Sequence, residues 1–320
     1  MTTTRTTKPK QPTRDHGGGL DAAIRAHGGI RAEWLDLSTG INPVPYPRPD
    51  LSGDAWTALP DTAAMQALDL AARAFWAVPD TAGVVAAPGA SALIARLPAL
   101  WPSGRVDIPA PTYNEHAASF AAHGWDITKD RADTRVLVHP NNPTGHFAHD
   151  AQLDMPRLVL DESFCDVAPD HSLIGMSTRS DTLILKSFGK FWGLAGLRLG
   201  FAIGPRALTD RLSEMLGPWP VSGPALAIAT QALSDADWAA RTRERLGRDA
   251  HRLDALMTGA GAETLGGTPL FRLYRVDDAA RWQDRLAHAQ IWSRVFPYDP
   301  HWLRLGIPGP SDWPRLEEAI

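Results

Sequence analysis

The chain carries only five lysines, Lys8, Lys10, Lys129, Lys186 and Lys190, and otherwise takes its positive charge from arginine. Lys190 lies in Ser187-Phe188-Gly189-Lys190-Phe191-Trp192-Gly193-Leu194-Ala195-Gly196-Leu197-Arg198-Leu199-Gly200, an apolar, glycine-rich stretch that offers it no solvated face. Arginine stays protonated, whereas a lysine amine can lose its proton and act as a nucleophile. Apolar neighbours depress the pKa of such an amine, and the neutral form condenses with a carbonyl to give a Schiff base. The alternative is a turn lysine whose stem packs while its ammonium reaches water. Lys186 ends the apolar run Leu183-Ile184-Leu185 and reads as an ordinary strand-end lysine.

Other segments carry groups with chemistry of their own. Asp161 closes the apolar run Leu158-Val159-Leu160, where an unpaired charge is costly. Asn142 stands in His139-Pro140-Asn141-Asn142-Pro143-Thr144-Gly145, after an apolar strand. As a plain turn, Asn-Pro would be unremarkable. Tyr113 lies in Pro111-Thr112-Tyr113-Asn114-Glu115, and Arg304 in Trp302-Leu303-Arg304-Leu305-Gly306. Pro88-Gly89-Ala90-Ser91 joins a strand to a helix, whose first turn can present backbone N–H groups to a phosphate.

Taken in order, these segments resemble the signature of the fold-type I pyridoxal-phosphate enzymes, over nearly the whole chain from His16 onward. The resemblance implies pyridoxal 5'-phosphate as cofactor, bound to Lys190 and held at its phosphate by Gly89, Ala90, Ser91, Ser187 and Arg198. It implies Tyr113 over the cofactor ring, Asn142 on the phenolic oxygen, Asp161 on the ring nitrogen, and Arg304 at the substrate carboxylate, with Asn142 also among the substrate-binding residues. No metal is implied. Two positions depart from the pattern. Phe164 stands where aminotransferases of this fold usually have a tyrosine donating to the phenolic oxygen, and Leu59 stands where a tyrosine often reaches the partner subunit's cofactor phosphate.

The N-terminal segments narrow the resemblance. His16-Gly17-Gly18 followed by Leu35-Asp36-Leu37-Ser38-Thr39-Gly40-Ile41-Asn42-Pro43 is similar to the cobalamin-pathway threonine-phosphate decarboxylases, relatives of histidinol-phosphate aminotransferase. That family implies His16, Gly17, Gly40, Ile41 and Asn42 around the substrate, a small phosphorylated amino acid, and a homodimer. Arg272 or Arg294 could add charge at the substrate phosphate, and the sequence does not choose between them. The expected activity is decarboxylation of L-threonine O-3-phosphate to (R)-1-aminopropan-2-ol O-phosphate. The alternatives are a histidinol-phosphate-type aminotransferase and a catalytically idle pyridoxal-fold partner protein of the corrinoid pathway.

The elements that must position these residues follow from periodicity and punctuation. Strands are expected near 84–86, 105–108, 136–139, 158–161, 182–186 and 201–203, with helices at 62–77, 90–100 and 114–123. This alternation predicts an α/β fold whose mainly parallel sheet is covered by helices on both faces. Helices at 207–216, 224–233, 237–257 and 279–288, with strands at 271–276, 291–295 and 302–305, predict a smaller α+β domain. The expected division is a disordered tail over 1–15, a substrate segment over 16–49 that joins the small domain, a large cofactor domain over 50–215 and the small domain over 216–320. Among 320 residues, 36 acidic against 32 basic side chains give a net charge of −4, which argues against a nucleic-acid partner. No apolar run reaches the ~18 residues of a membrane span. The single cysteine, Cys165, rules out an intramolecular disulfide and fits a reducing, cytoplasmic setting.

Overall fold

Apolar runs ended by Gly, Pro or Asp form a seven-stranded sheet at the centre of the structure. The computed structural model describes residues 16–320, so the tail expected over 1–15 lies outside the described residues. In chain order the strands are β1 (Leu35–Asp36), β2 (Ala82–Ala87), β3 (Arg105–Asp107), β4 (Asp126–Ile127), β5 (Thr134–Val138), β6 (Arg157–Asp161), β7 (Thr182–Ser187), β8 (Gly200–Pro205), β9 (Glu263–Thr268), β10 (Phe271–Arg275), β11 (Ile291–Trp292), β12 (Arg294–Phe296) and β13 (Asp299–Gly306). The large sheet runs β2-β8-β7-β6-β5-β3-β4. Its strands are parallel except β8, which pairs antiparallel with both β2 and β7. The stretch between β7 and β8 holds no more than a 3-10 turn, and a parallel return would need a crossover helix. Leu158, Val159 and Leu160 of β6 and Leu183, Ile184 and Leu185 of β7 are all fully buried, as expected of strands covered on both faces.

The helices are α1 (Leu20–His27), α2 (Asp54–Thr57), α3 (Thr62–Trp76), α4 (Ala90–Ile94), α5 (Asn114–Ala122), α6 (Asp150–Leu153), α7 (Arg206–Leu216), α8 (Gly223–Leu233), α9 (Ala236–Gly259), α10 (Ala279–His288) and α11 (Trp313–Ala319). Asp61 caps α3 by accepting the Ala64 amide at 2.8 Å. α4 is shorter than the expected 90–100 helix; beyond it, Pro98 lies in a separate 3-10 turn, Leu97–Leu100.

A second, four-stranded antiparallel sheet runs β12-β13-β10-β9. The single strand expected over 291–295 divides in two. β11 pairs in parallel with β1, and β12 pairs with β13. β9 was masked in the sequence by Gly266 and Gly267, which bring it against the 142–145 loop, where the Gly267 amide donates to Thr144 O at 2.9 Å. A Cβ on Gly266 would run into that same carbonyl oxygen.

The apolar clusters cut the chain later than residue 215. Ala225, Leu226, Ala229 and Leu233 of α8, with Ala239 and Leu246 of α9, pack in one cluster with Phe201 and Trp192 of the large sheet's side. Ala250, Leu253 and Met257 of the same α9 pack with Tyr274, Trp282 and Leu305 of the smaller sheet. α8 is therefore part of the large core, and α9 passes from one core to the other. The 16–49 segment also joins both, through Leu37 in the smaller core and Tyr46 in the larger. Among the described residues no helix is long and apolar enough to cross a membrane.

Candidate active site

β6 ends at Asp161 and β7 at Ser187, while the loops after β2 and β5 deliver Ala90 and Asn142 to the same end of the sheet, where open α/β sheets form their crevice. One cavity there, with about 600 Å3 of empty space, is lined by Ala90, Ser91, Tyr113, Asn142, Asp161, Ser187, Lys190 and Arg198. Eight of the nine residues expected around the cofactor are thus brought together. The ninth, Gly89, has φ +86, and a Cβ on it would stand 3.0 Å from Cζ of Arg198, so the guanidinium reaches across the space that glycine leaves open. Ala90 and Ser91 open α4, where first-turn N–H groups have no intrahelical acceptor. Arg198 itself has φ +56, a left-handed conformation that strains a non-glycine residue and points its side chain at this loop.

Asp161 is buried at the cavity floor. Burial alone would raise its pKa, but hydrogen bonding with His116 (Nε2 to Oδ2, 2.8 Å) and Ser163 (Oγ 2.5 Å and N 3.0 Å from Oδ1) outweighs burial and holds it below the usual carboxylate value. An ionised carboxylate accepts only, so His116 donates from Nε2. Lys190 is the opposite case. Burial, and next the positive charge of Arg304, push its amine down to about 8. Its Nζ lies 5.4 Å from the centre of the Phe164 ring, which in turn meets Phe271 edge-on at 5.0 Å.

A second cavity of similar size shares Tyr113 and Asn142 with the first and is lined also by His16, Gly17, Arg294, Tyr298 and Arg304. Arg304, buried on β13, donates from Nη1 to Asn142 Oδ1 and from Nη2 to the Ser38 carbonyl at 2.7 Å. His16 Nε2 lies 2.9 Å from Glu115 Oε1. A Cβ on Gly17 would overlap the Ser38 carbonyl oxygen, and the next amide, Gly18 N, donates to Ser38 Oγ at 2.7 Å. Of the two candidate arginines, Arg294 lines this cavity, whereas Arg272 is held by Asp254 through Nε (2.9 Å) and Nη2 (2.7 Å).

Three expected substrate residues lie elsewhere. Asn42 lines neither cavity. It is buried, donates from Nδ2 to Phe191 O at 2.8 Å, and accepts at Oδ1 from Arg245 Nη2 at 2.6 Å and Val44 N at 3.0 Å. Its own amide donates to Lys190 O at 3.0 Å, so it fastens the lysine loop. Ile41, beside it, also lines neither cavity. Gly40 sits behind Phe164 and Phe271, whose rings a Cβ would meet at 2.9 and 2.8 Å.

Sequence reasoning missed His116, Ser163 and Glu115, whose partners are remote or unmarked. It also misjudged Lys186. That amine is buried, 2.5 Å from Glu162 Oε2 and 3.9 Å from Asp166 Oδ1, and it is part of the core beneath the site. The adjacent acids Asp161-Glu162 at the end of a neighbouring buried strand were the available signal.

The residues present fit pyridoxal phosphate on structural grounds. A lysine amine with a depressed pKa, an ionised buried carboxylate in the same cavity, and an arginine at a helix start opened by Gly89 are the donor set that an aldehyde, a ring N–H and a phosphate require. The fold is that of fold-type I aminotransferases: a histidinol-phosphate aminotransferase from Sinorhizobium meliloti, solved in complex with pyridoxal-5'-phosphate, superposes with a TM-score of 0.82 over 98% of this chain and 97% of its own, at 17% identity. Residues 125–319 match the model of the aminotransferase class I and II family. A threonine-phosphate decarboxylase from Sinorhizobium sp is 39% identical over 95% of this chain and 97% of its own, and one from Pseudomonas aeruginosa is 38% identical over 96% and 97%. The chain belongs to the aminotransferase class I and II family and, within it, to the family of the threonine-phosphate decarboxylases.

Proposed function

We propose that the protein is a pyridoxal-phosphate-dependent decarboxylase that converts L-threonine O-3-phosphate to (R)-1-aminopropan-2-ol O-phosphate and carbon dioxide, a cytoplasmic step of cobalamin biosynthesis. The observation that carries this reading is the pair of adjoining cavities: one suits the cofactor, and the other gathers the guanidinium groups of Arg294 and Arg304 and the imidazole of His16 for a substrate bearing both a carboxylate and a phosphate. Pyridoxal phosphate, when bound, supplies a conjugated ring that accepts the electron pair of a bond broken at the substrate's α carbon. Lys190 would hold the cofactor aldehyde and, once the substrate amine has displaced it, would be placed as an ammonium to give a proton to the α carbon. Asp161, kept ionised by His116 and Ser163, retains the proton on the ring nitrogen. Asn142 would hold the phenolic oxygen, Tyr113 would cover the ring, and Arg198 and Ser187, with Gly89, Ala90 and Ser91, would hold the cofactor phosphate. Arg304 takes the substrate carboxylate. His16 and Arg294, beside Gly17, take its phosphate. When the Cα–carboxylate bond breaks, carbon dioxide leaves without the bonding electron pair, and one proton is added at the α carbon.

A homodimer is part of the proposal. Trp56 and Leu59 are 70% and 66% exposed, and Leu59 borders an open groove with Ala58, Pro60, Leu226 and Ala227, an apolar face suited to a second copy. The purified protein, loaded with pyridoxal phosphate and given threonine phosphate without a keto acid, should release carbon dioxide in step with aminopropanol phosphate, and Lys190→Ala should release none. Conversion of the cofactor to its pyridoxamine form with no carbon dioxide would establish aminotransfer instead.

A further inference from the structure

Among the described residues two groups of three side chains could converge on a metal ion, one buried and one at the surface. His139, Glu162 and Cys165 form the first, all buried. Glu162 is already engaged by Lys186 at 2.5 Å, Ser172 Oγ at 2.6 Å and the Leu173 amide at 2.6 Å. Both ring nitrogens of His139 are occupied as well, by His171 O at 2.7 Å and the Ala148 amide at 2.9 Å. The second group, His27, Asp284 and His288, lies at the surface at the seam between α1 and α10, with Asp284 and His288 exposed and the His27 side chain 20% exposed.

The geometry points to a surface site for a borderline divalent transition ion, Zn2+, Ni2+ or Cu2+, held by His27, Asp284 and His288. His27 is the last residue of α1, and Asp284 and His288 stand one turn apart on α10, so the fold brings together ligands separated by most of the chain. His27 Nδ1 is 4.0 Å from Asp284 Oδ1, His288 Nδ1 is 3.6 Å from Asp284 Oδ2, and each residue offers a ligand atom within 4.8 Å of the other two. Ligands about 2.0–2.2 Å from a tetrahedral zinc are separated by somewhat less than this, a gap that rotation of exposed side chains closes. Two imidazoles and one carboxylate suit zinc, nickel and copper; magnesium and calcium require mostly oxygen. His288 Nδ1 also lies 2.8 Å from the Asp284 carbonyl oxygen of its own helix. That bond orients the ring if Nε2 is the ligand, the usual arrangement for a metal-bound histidine, and is exchanged for the metal if Nδ1 is.

The ion would add a link where the fold is thin. α1 meets the body of the protein through a small cluster of Leu20, Ala23, Trp34 and Ala287. The segment that places His16 and Gly17 at the second cavity leads directly into α1. The His27 ring lies 6.2 Å from both Trp34 and Trp292, which makes these tryptophans local reporters.

The test uses full-length protein treated with chelator and dialysed. Titration calorimetry with Zn2+ should give one ion per chain, and Ni2+ or Cu2+ should quench tryptophan emission with the same stoichiometry, whereas Mg2+ should do neither. Loss of an orienting partner alone costs about 10- to 100-fold in metal affinity, so His27→Ala and His288→Gln should each weaken Zn2+ binding by at least about tenfold. Far-UV circular dichroism in EDTA shows that the variants are folded; His288→Gln should melt as wild type does, whereas His27→Ala, which removes a ring packed beside Trp34 and Trp292, should melt somewhat lower. Variants that bind Zn2+ as wild type does, or a wild-type protein that binds none, would overturn the assignment. Neither outcome bears on decarboxylation, since the readouts are metal affinity and fluorescence.

Discussion

His116 and Asp161 face each other at 2.8 Å with both side chains out of water. The bond holds the carboxylate ionised where burial would protonate it. His116→Ala removes one charge-assisted hydrogen bond, worth ~1.5–3 kcal/mol, which is about ten- to a hundredfold in an equilibrium or rate constant. We expect a drop of that size in cofactor affinity and kcat, read by cofactor absorbance and carbon dioxide release. Because the folded pKa of Asp161 is depressed, its contribution to stability is complete above the unfolded value of ~3.9 and is lost as pH falls through the folded value. The variant should therefore lose stability near neutral pH and differ less from wild type in acid.

Lys190 should be the most reactive lysine in the cofactor-free protein. At pH 7 an amine of pKa about 8 is neutral roughly one time in ten, against roughly one in 2,500 for an ordinary lysine. Competitive acylation should label Lys190 with a midpoint near 8, ahead of the exposed Lys129. Arg304→Gln should move the midpoint upward, because the guanidinium is one cause of the depression. For stability the sign is the reverse of a paired lysine: between about 8 and ~10.4 the unfolded chain binds more protons at this position, so the group's contribution rises with pH across that window.

Much of this site was legible in the sequence because its parts are local. A lysine among Phe, Trp and Gly, an aspartate closing an apolar strand, and an asparagine in a Pro-rich turn each announce themselves within a few residues. What depends on a remote partner was not. His116 becomes meaningful only through Asp161, 45 residues on, and Asn42 only through Arg245, 203 residues on. The antiparallel course of β8 and the place of α8 in the large core are likewise set by tertiary packing that no local period encodes. Gly266 and Gly267 hid β9 for the opposite reason: they weaken a strand's local signal so that the 142–145 loop can pack against it.

Lys186 and Glu162 form a buried pair at 2.5 Å with Asp166 close by. Lys186→Met leaves two carboxylates in the core without their cation, and breaking a buried pair in this way costs about 3–5 kcal/mol. Urea unfolding should register a loss of that order. Adding Glu162→Gln to Lys186→Met should restore part of it, because one of the two carboxylates that face the missing ammonium is then neutral. A single variant as stable as wild type would show that the pair contributes nothing.

Arg294 and Arg272 should separate cleanly. Arg272 is locked to Asp254, which also accepts from Tyr274 at 2.8 Å, so Arg272→Ala should lower the melting temperature and leave KM for threonine phosphate near its wild-type value. Arg294 lines the second cavity. Its replacement by Ala should raise KM by about ten- to a hundredfold, the worth of one or two charged hydrogen bonds, with little change in melting temperature. Reversal of the two phenotypes would move the substrate phosphate to the other arginine.

Asn42 distinguishes a substrate ligand from a residue that shapes the lysine loop. Its Nδ2 donates to the Phe191 carbonyl, its Oδ1 accepts from Arg245, and its amide donates to the Lys190 carbonyl, so every polar atom of the side chain is used inside the protein. Asn42→Ala leaves the Phe191 carbonyl and Nη2 of Arg245 without this partner, although Arg245 Nη1 keeps Asp249 at 3.2 Å, and an unsatisfied buried group costs about 1–3 kcal/mol. The loop bearing Lys190 should loosen. The expected signature is a lower melting temperature and a lower kcat, with a shift in the pH at which the bound cofactor changes absorbance, while KM for threonine phosphate stays within about twofold, since no contact with substrate is lost. An Asn42→Ala protein with wild-type stability and a KM raised tenfold would return Asn42 to the substrate phosphate and refute its role as a clamp.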